Sequence, residues 1–161
     1  MSLITRTPVL WTLFVLTVVI FLVFGALAPI VGGQFLDMVS APAETRAVFE
    51  AMTPGERTAH LWVTVLLDTA FPLSFGLLFA GMAWRFFGKF GRFAAIPGFA
   101  VLIVDLTENT LQAITLSGAA YLLEPKEWVS PLKMNLFYLA ALIALVAAGI
   151  ALYRVVTKKK A

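Results

Sequence analysis

The sequence predicts an all-α integral membrane protein, a single domain folded as a four-transmembrane-helix bundle, and three observations carry that expectation. Four apolar runs, at 8–30, 61–84, 94–123 and 132–156, each approach or exceed the ~20 helical residues that cross a ~30 Å hydrocarbon layer. The 161-residue chain is 61% hydrophobic and only 13% charged, with a mean hydropathy of +0.94. A soluble domain of this length could not hide so much apolar surface. Finally, the basic residues gather in alternate connections, the pattern that orients membrane helices.

The first run follows Arg6 and exceeds the length of a signal-peptide core, and no clean small-residue cleavage pattern precedes Gly32-Gly33. It is expected to be a retained helix. The connection 32–59 is the one substantial extramembrane piece. Ser40-Ala41-Pro42-Ala43 reads as a helix start with a capping serine and a proline in the first turn. A short amphipathic helix should follow, laying Val48, Phe49 and Met52 on the membrane surface. Thr53-Pro54-Gly55-Glu56 reads as a capping box opening the second spanning helix above the bilayer. Ser130-Pro131 is expected to open the fourth in a similar way.

The N-terminus, the second loop and the C-terminus carry Arg6, then Arg85, Lys89 and Arg92, then Arg154, Lys158, Lys159 and Lys160, with no acid among them. The other two loops mix Arg46, Arg57, Lys126 and Lys133 with Asp37, Glu44, Glu50, Glu56, Glu124 and Glu127. The positive-inside rule then places both termini in the cytoplasm, as for a protein of a bacterial cytoplasmic (inner) membrane. Trp11 and Trp84 mark the inner interface, and Trp62 and Trp128 the outer one. The basic ends are read as topology determinants facing anionic lipid headgroups, with no nucleic-acid role.

Three acids remain inside the spans: Asp68, Asp105 and Glu108. A charge near the centre of a membrane helix costs about 2.5–3.5 kcal/mol, so each needs a partner, water or a proton. At 1.5 Å per residue, Asp105 lies ~20 Å and Glu108 ~24 Å from Arg92, Asp68 ~25 Å from Arg85, and Tyr138 ~24 Å from Arg154. Polar groups on three helices therefore share one level in the outer half of the membrane. Asp105, Glu108, Asn109 and Gln112 recur at i, i+3, i+4 and i+7, a stripe that continues through Gly98 and Leu102. His60, Thr64 and Asp68 form a matching stripe on the second helix. Both stripes should face the bundle interior and, with Asn135 and Tyr138, line a pocket open to the outside.

Two prolines bear on the helices. Pro72 removes the donor for the Asp68 carbonyl, so a kink and a free acceptor are expected there. Pro97 should do the same to Phe93 near the inner end, as a structural feature.

With every basic residue assigned to a loop or an interface, the acids form an acid-only cluster. Asp68, Asp105 and Glu108 are then candidate catalytic acids and bases. His60, Thr64, Asn109, Gln112, Asn135 and Tyr138 are candidate ligand contacts, with His60 at the mouth handing protons to Asp68. The partners this implies are membrane lipids and a small hydrophobic or cationic ligand. Three functions fit: acid–base chemistry on a lipid-soluble substrate, proton- or cation-coupled transport by a homodimer, or a non-catalytic subunit or assembly factor that meets another membrane protein. There is no cysteine and one histidine, which removes thiolate chemistry and bis-histidine haem ligation. The residues name no cofactor; an oxygen-only ligand set would suit Mg²⁺, Ca²⁺ or Mn²⁺ better than Zn²⁺.

Overall fold

The computed structural model describes residues 3–39 and 41–158, of which nearly all are helical and none is in a strand. The helices are α1 (Thr7–Leu27), α2 (Pro42–Ala51), α3 (Pro54–Val63), α4 (Thr69–Phe86), α5 (Gly91–Ala94), α6 (Ile96–Leu116) and α7 (Leu123–Lys158). A π-helical turn, Thr64–Asp68, joins α3 to α4 without a break. Four stretches are long and apolar enough to cross a membrane: Thr7–Val31, Pro54–Phe86, Gly88–Leu116 and Leu123–Thr157.

The expected capping box is present. The Thr53 amide donates to Glu56 Oε2 at 2.8 Å and the Glu56 amide to Thr53 Oγ1 at 3.3 Å, so α3 starts at Pro54. This satisfies orphan amides at the helix end. Thr53→Ala should lower stability by about 1 kcal/mol in a denaturant titration, and Thr53→Ser should recover most of it. The capping role expected of Ser40 lies outside the described residues; the residue before Pro42 is Ala41, in extended conformation with no side-chain cap.

Two helix limits differ from the sequence expectation. The third span ends at Leu116, and a turn through Gly118 (φ +78°) leads into α7 at Leu123, nine residues before 132. Pro131 therefore sits inside α7 rather than opening it. Pro97 occupies the first turn of α6, after a break at Ala95, so it starts a helix where a kink was expected. The apolar face of α2 also departs from its expected place on the membrane surface. Met52 packs with Leu36 and Leu116, and Val48 and Phe49 lie against that cluster, so the face turns to the protein.

α4 is the central helix, packed against α1, α6 and α7. Against α6 the backbones approach closely through small residues: a Cβ added at Gly98 would lie 2.6 Å from the Ala80 amide nitrogen. Phe75, Val101 and Ala140 join α4, α6 and α7 with Phe71, Phe79, Leu136 and Phe137 around them. α1 is held at one end, where Arg85 Nη1 donates to the Thr5 carbonyl at 3.1 Å and to Thr7 Oγ1 at 2.8 Å.

Candidate functional site

The polar stripe of α6 faces inward as its spacing requires. Asp105, Glu108, Asn109 and Gln112 are all buried, as are His60, Thr64 and Asp68 on the neighbouring helix. Pro72 explains much of the local backbone. Without its N–H the Asp68 carbonyl has no helical donor, and the chain widens into the Thr64–Asp68 π turn, a common accommodation at such sites. Thr69 Oγ1 donates to the Thr64 carbonyl at 3.2 Å. Asn109 Nδ2 donates to the Asp68 carbonyl at 2.6 Å, so the freed acceptor is taken by the facing helix.

The acid-only cluster is overturned. Starting α7 at Leu123 lifts Lys126 and Lys133 out of the loop and stacks them with Ser130 at i, i+4 and i+7 on the face toward α6. Glu108 receives all three. Lys126 Nζ lies 3.1 Å from Oε1, Ser130 Oγ donates to Oε1, and Lys133 Nζ contacts Oε2. Lys133 also lies 3.7 Å from Asp105 Oδ1 and 4.0 Å from Asp37 Oδ2. Both lysines are buried, 2% exposed for Lys126 and 6% for Lys133. Glu108 is thus an ion-pair partner, with Oε1 held by Lys126 and Ser130 and Oε2 against Lys133. Asp37, Lys126, Ser130 and Lys133 were missed from sequence. The matched spacing of Lys126, Ser130 and Lys133 carries the signal, but reading Pro131 as a helix start hides it.

The expected outward-opening pocket is corrected as well. Tyr138 is 61% exposed on the outer surface of α7. Asn135 is exposed and donates to the carbonyl of Pro131 in its own helix, so neither contributes to the cluster. His60 is no mouth residue: it is 1% exposed, its Nε2 accepts from the Leu36 amide at 3.5 Å, and its ring stands edge-on to Phe35. Two shallow clefts of about 370 and 430 Å³ lie at the surface around Arg46, one lined by α2 and the other by Glu124, Pro125, Glu127 and Trp128; neither is lined by a predicted site residue.

Residues 32–39 cover the cluster. Lys126 Nζ donates to the Val39 carbonyl at 2.7 Å, beside the Asp37–Lys133 and Leu36–His60 contacts. Burial pushes the Asp37 carboxyl above the ordinary carboxylate range, against the opposing field of Lys133.

What remains unsatisfied is informative. Among the described residues the Asp68 carboxylate has no cation within 4.0 Å and no hydrogen-bond donor, although only 5% of the residue is exposed. Among the described residues both polar atoms of Gln112, Nδ1 of His60, Oδ1 of Asn109, Oδ1 of Asp105 and Oε2 of Glu108 are buried without a hydrogen-bond partner, the last two facing Lys133 as ion pairs only. Buried groups left in this way cost about 1–3 kcal/mol each unless something satisfies them. Among the described residues no three acidic or histidine side chains are grouped as they would be around a metal ion. No known protein family, protein of established function or solved structure matches this chain.

Proposed function

We propose that the chain is a membrane protein with both termini cytoplasmic, in a bacterial inner membrane, whose buried polar core binds a small hydrophobic or cationic molecule entering from the outer side. The supporting observation is Asp68, a residue only 5% exposed whose carboxylate has no cation within 4.0 Å among the described residues, while two lysines serve Glu108 and Asp105. Gln112 strengthens the reading, because a fully buried amide with four unmet bonding positions calls for a polar occupant. Asp68 is the recognition carboxylate; Asn109, Gln112, Thr64 and His60 supply polar contacts. Asp105, with a single ammonium at 3.7 Å, is the neighbour able to share a proton with Asp68 if the bound molecule undergoes acid–base chemistry. Coupled transport by a dimer is the second reading, favoured by Lys133, which lies within reach of three carboxylates and can change partners as one of them binds a cation or proton.

The probe is tetraphenylphosphonium, an apolar cation, with protein in lipid nanodiscs and binding read by equilibrium dialysis. Asp68→Asn should weaken binding by about tenfold or more, the ratio for loss of ~1.4 kcal/mol of charge attraction. Wild-type affinity should fall on acidification, as protonation removes the carboxylate charge. Proteoliposome uptake of the same cation, driven by a pH gradient, separates transport from binding alone. Unchanged binding in a more heat-stable Asp68→Asn variant would assign the acid to packing and defeat the reading.

A further inference from the structure

We propose that residues 32–39 are a latched lid over the polar core, and that the lysines pairing the buried acids also hold it shut. This rests on the binding reading above and adds how the site is reached. Glu108 and Gln112 are closed off from solvent and Asp68 is 5% exposed, so a ligand reaches the cluster only if some cover moves. Helical cover is held by continuous backbone ladders. Residues 32–39 contain a single 3-10 turn, Leu36–Met38, and little other backbone bonding, so this cover opens at the lowest cost.

The segment is built for such a movement. At one end Gly32 and Gly33 both have positive φ, +89° and +87°, a conformation other residues rarely adopt. Along its length Phe35 stacks edge-on between Phe24 and His60, and Leu36 and Val39 are buried. Its polar attachments reach the site itself: the Leu36 amide to His60, Asp37 to Lys133, and the Val39 carbonyl to Lys126. Lys133 and Lys126 are the same groups that neutralise Glu108 and Asp105. A cation arriving at the acids competes with Lys133 for them, and a lysine that shifts loosens its hold on the lid. Opening and occupancy are therefore coupled through shared partners.

The chain has no cysteine, so single cysteines report without background. Leu36→Cys places a thiol under the lid, and Val101→Cys places one in the α4–α6–α7 core as a control for general loosening. Protein in nanodiscs is treated with a membrane-impermeant maleimide. Leu36→Cys should react measurably faster than Val101→Cys. Adding Asp37→Asn, or separately Lys126→Met, should accelerate Leu36→Cys alone, by about tenfold for the charge-assisted bond lost from Lys126. Tetraphenylphosphonium should change the labelling rate of the Leu36→Cys single variant and leave that of the Leu36→Cys, Asp68→Asn double variant unchanged. Equal rates for the two thiols, insensitive to the latch substitutions, would overturn the lid, as would parallel acceleration of both. The lid can fail while the cation still binds in dialysis, and binding can fail while the latch substitutions still speed labelling, so the two failures are distinguishable.

Discussion

Replacing Lys133 with methionine should unfold the bundle at much lower denaturant, with a loss of about 3–5 kcal/mol, the usual consequence of stripping one partner from a buried ion pair. The size follows from what is left behind. Asp105 loses the one ammonium within 4.0 Å of it among the described residues, and Glu108 is left to Lys126 and Ser130. Methionine matches the stem of lysine, so packing changes little and the effect is electrostatic. The decisive measurement is a double-mutant cycle in detergent-solubilised protein. Asp105→Asn removes the stranded charge and should return part of the loss, a coupling above the ~0.5 kcal/mol expected for independent sites. Tyr138→Phe, on the exposed face of the same helix, should leave stability unchanged. Equal stability of Lys133→Met and wild type would mean that the acids are neutral or hydrated without the lysine, and the charge network would no longer account for the core.

The same lysine shows where sequence reading succeeds and where it stops. The inward stripe of α6 and the free carbonyl above Pro72 follow from periodicity and from a missing N–H, both local properties. They appear as the buried Asp105, Glu108, Asn109 and Gln112, and as the Asn109 bond to Asp68. The position of Lys133 depends on where α7 begins, and that is not local. Pro131 satisfies the rule for a first-turn proline, yet it lies in the interior of a 36-residue helix. Ser130, free of a capping role, donates to Glu108 instead. Contacts from α6 and from residues 32–39 keep the two turns before Ser130 helical, because Lys126 and Leu123 are buried there. A nine-residue change in one boundary turned an acid-only cluster into a paired one. Tyr138 and Asn135 failed for a related reason: height along a helix was known, but the face toward α6 was already taken by Lys126, Ser130 and Lys133.

Adding one methyl group at Gly98 should be costly, and adding one at Gly149 should be neutral or favourable. At Gly98 an added Cβ would lie 2.6 Å from the backbone nitrogen of Ala80 and 3.0 Å from its Cα and Cβ, closer than real Cβ atoms pack. The nitrogen and Cα are backbone atoms of α4 and the Cβ is fixed to them, so relief requires the two helices to part, and Gly76 sits across the same seam, where an added Cβ would lie 2.8 Å from Leu102 Cβ. Overpacking of this kind costs about 1–3 kcal/mol. Lipid-embedded helices are held together chiefly by such close packing, so no compensating gain from solvent is available. Gly149 has nothing within 4 Å of its Cβ position, and there alanine should gain the ~0.5–1 kcal/mol that glycine loses in a helix. Gly98→Ala and Gly149→Ala therefore test the α4–α6 seam with the same chemical change. Thermal unfolding that drops for the first and holds or rises for the second supports the seam. Parting α4 from α6 would also stretch the Asn109–Asp68 bond, so Gly98→Ala should weaken tetraphenylphosphonium binding from a residue that lines no part of the site. Equal stability of the two variants would show that α6 docks on α4 at some other register, and the inward stripe from Asp105 to Gln112 would lose the neighbour that makes it a site.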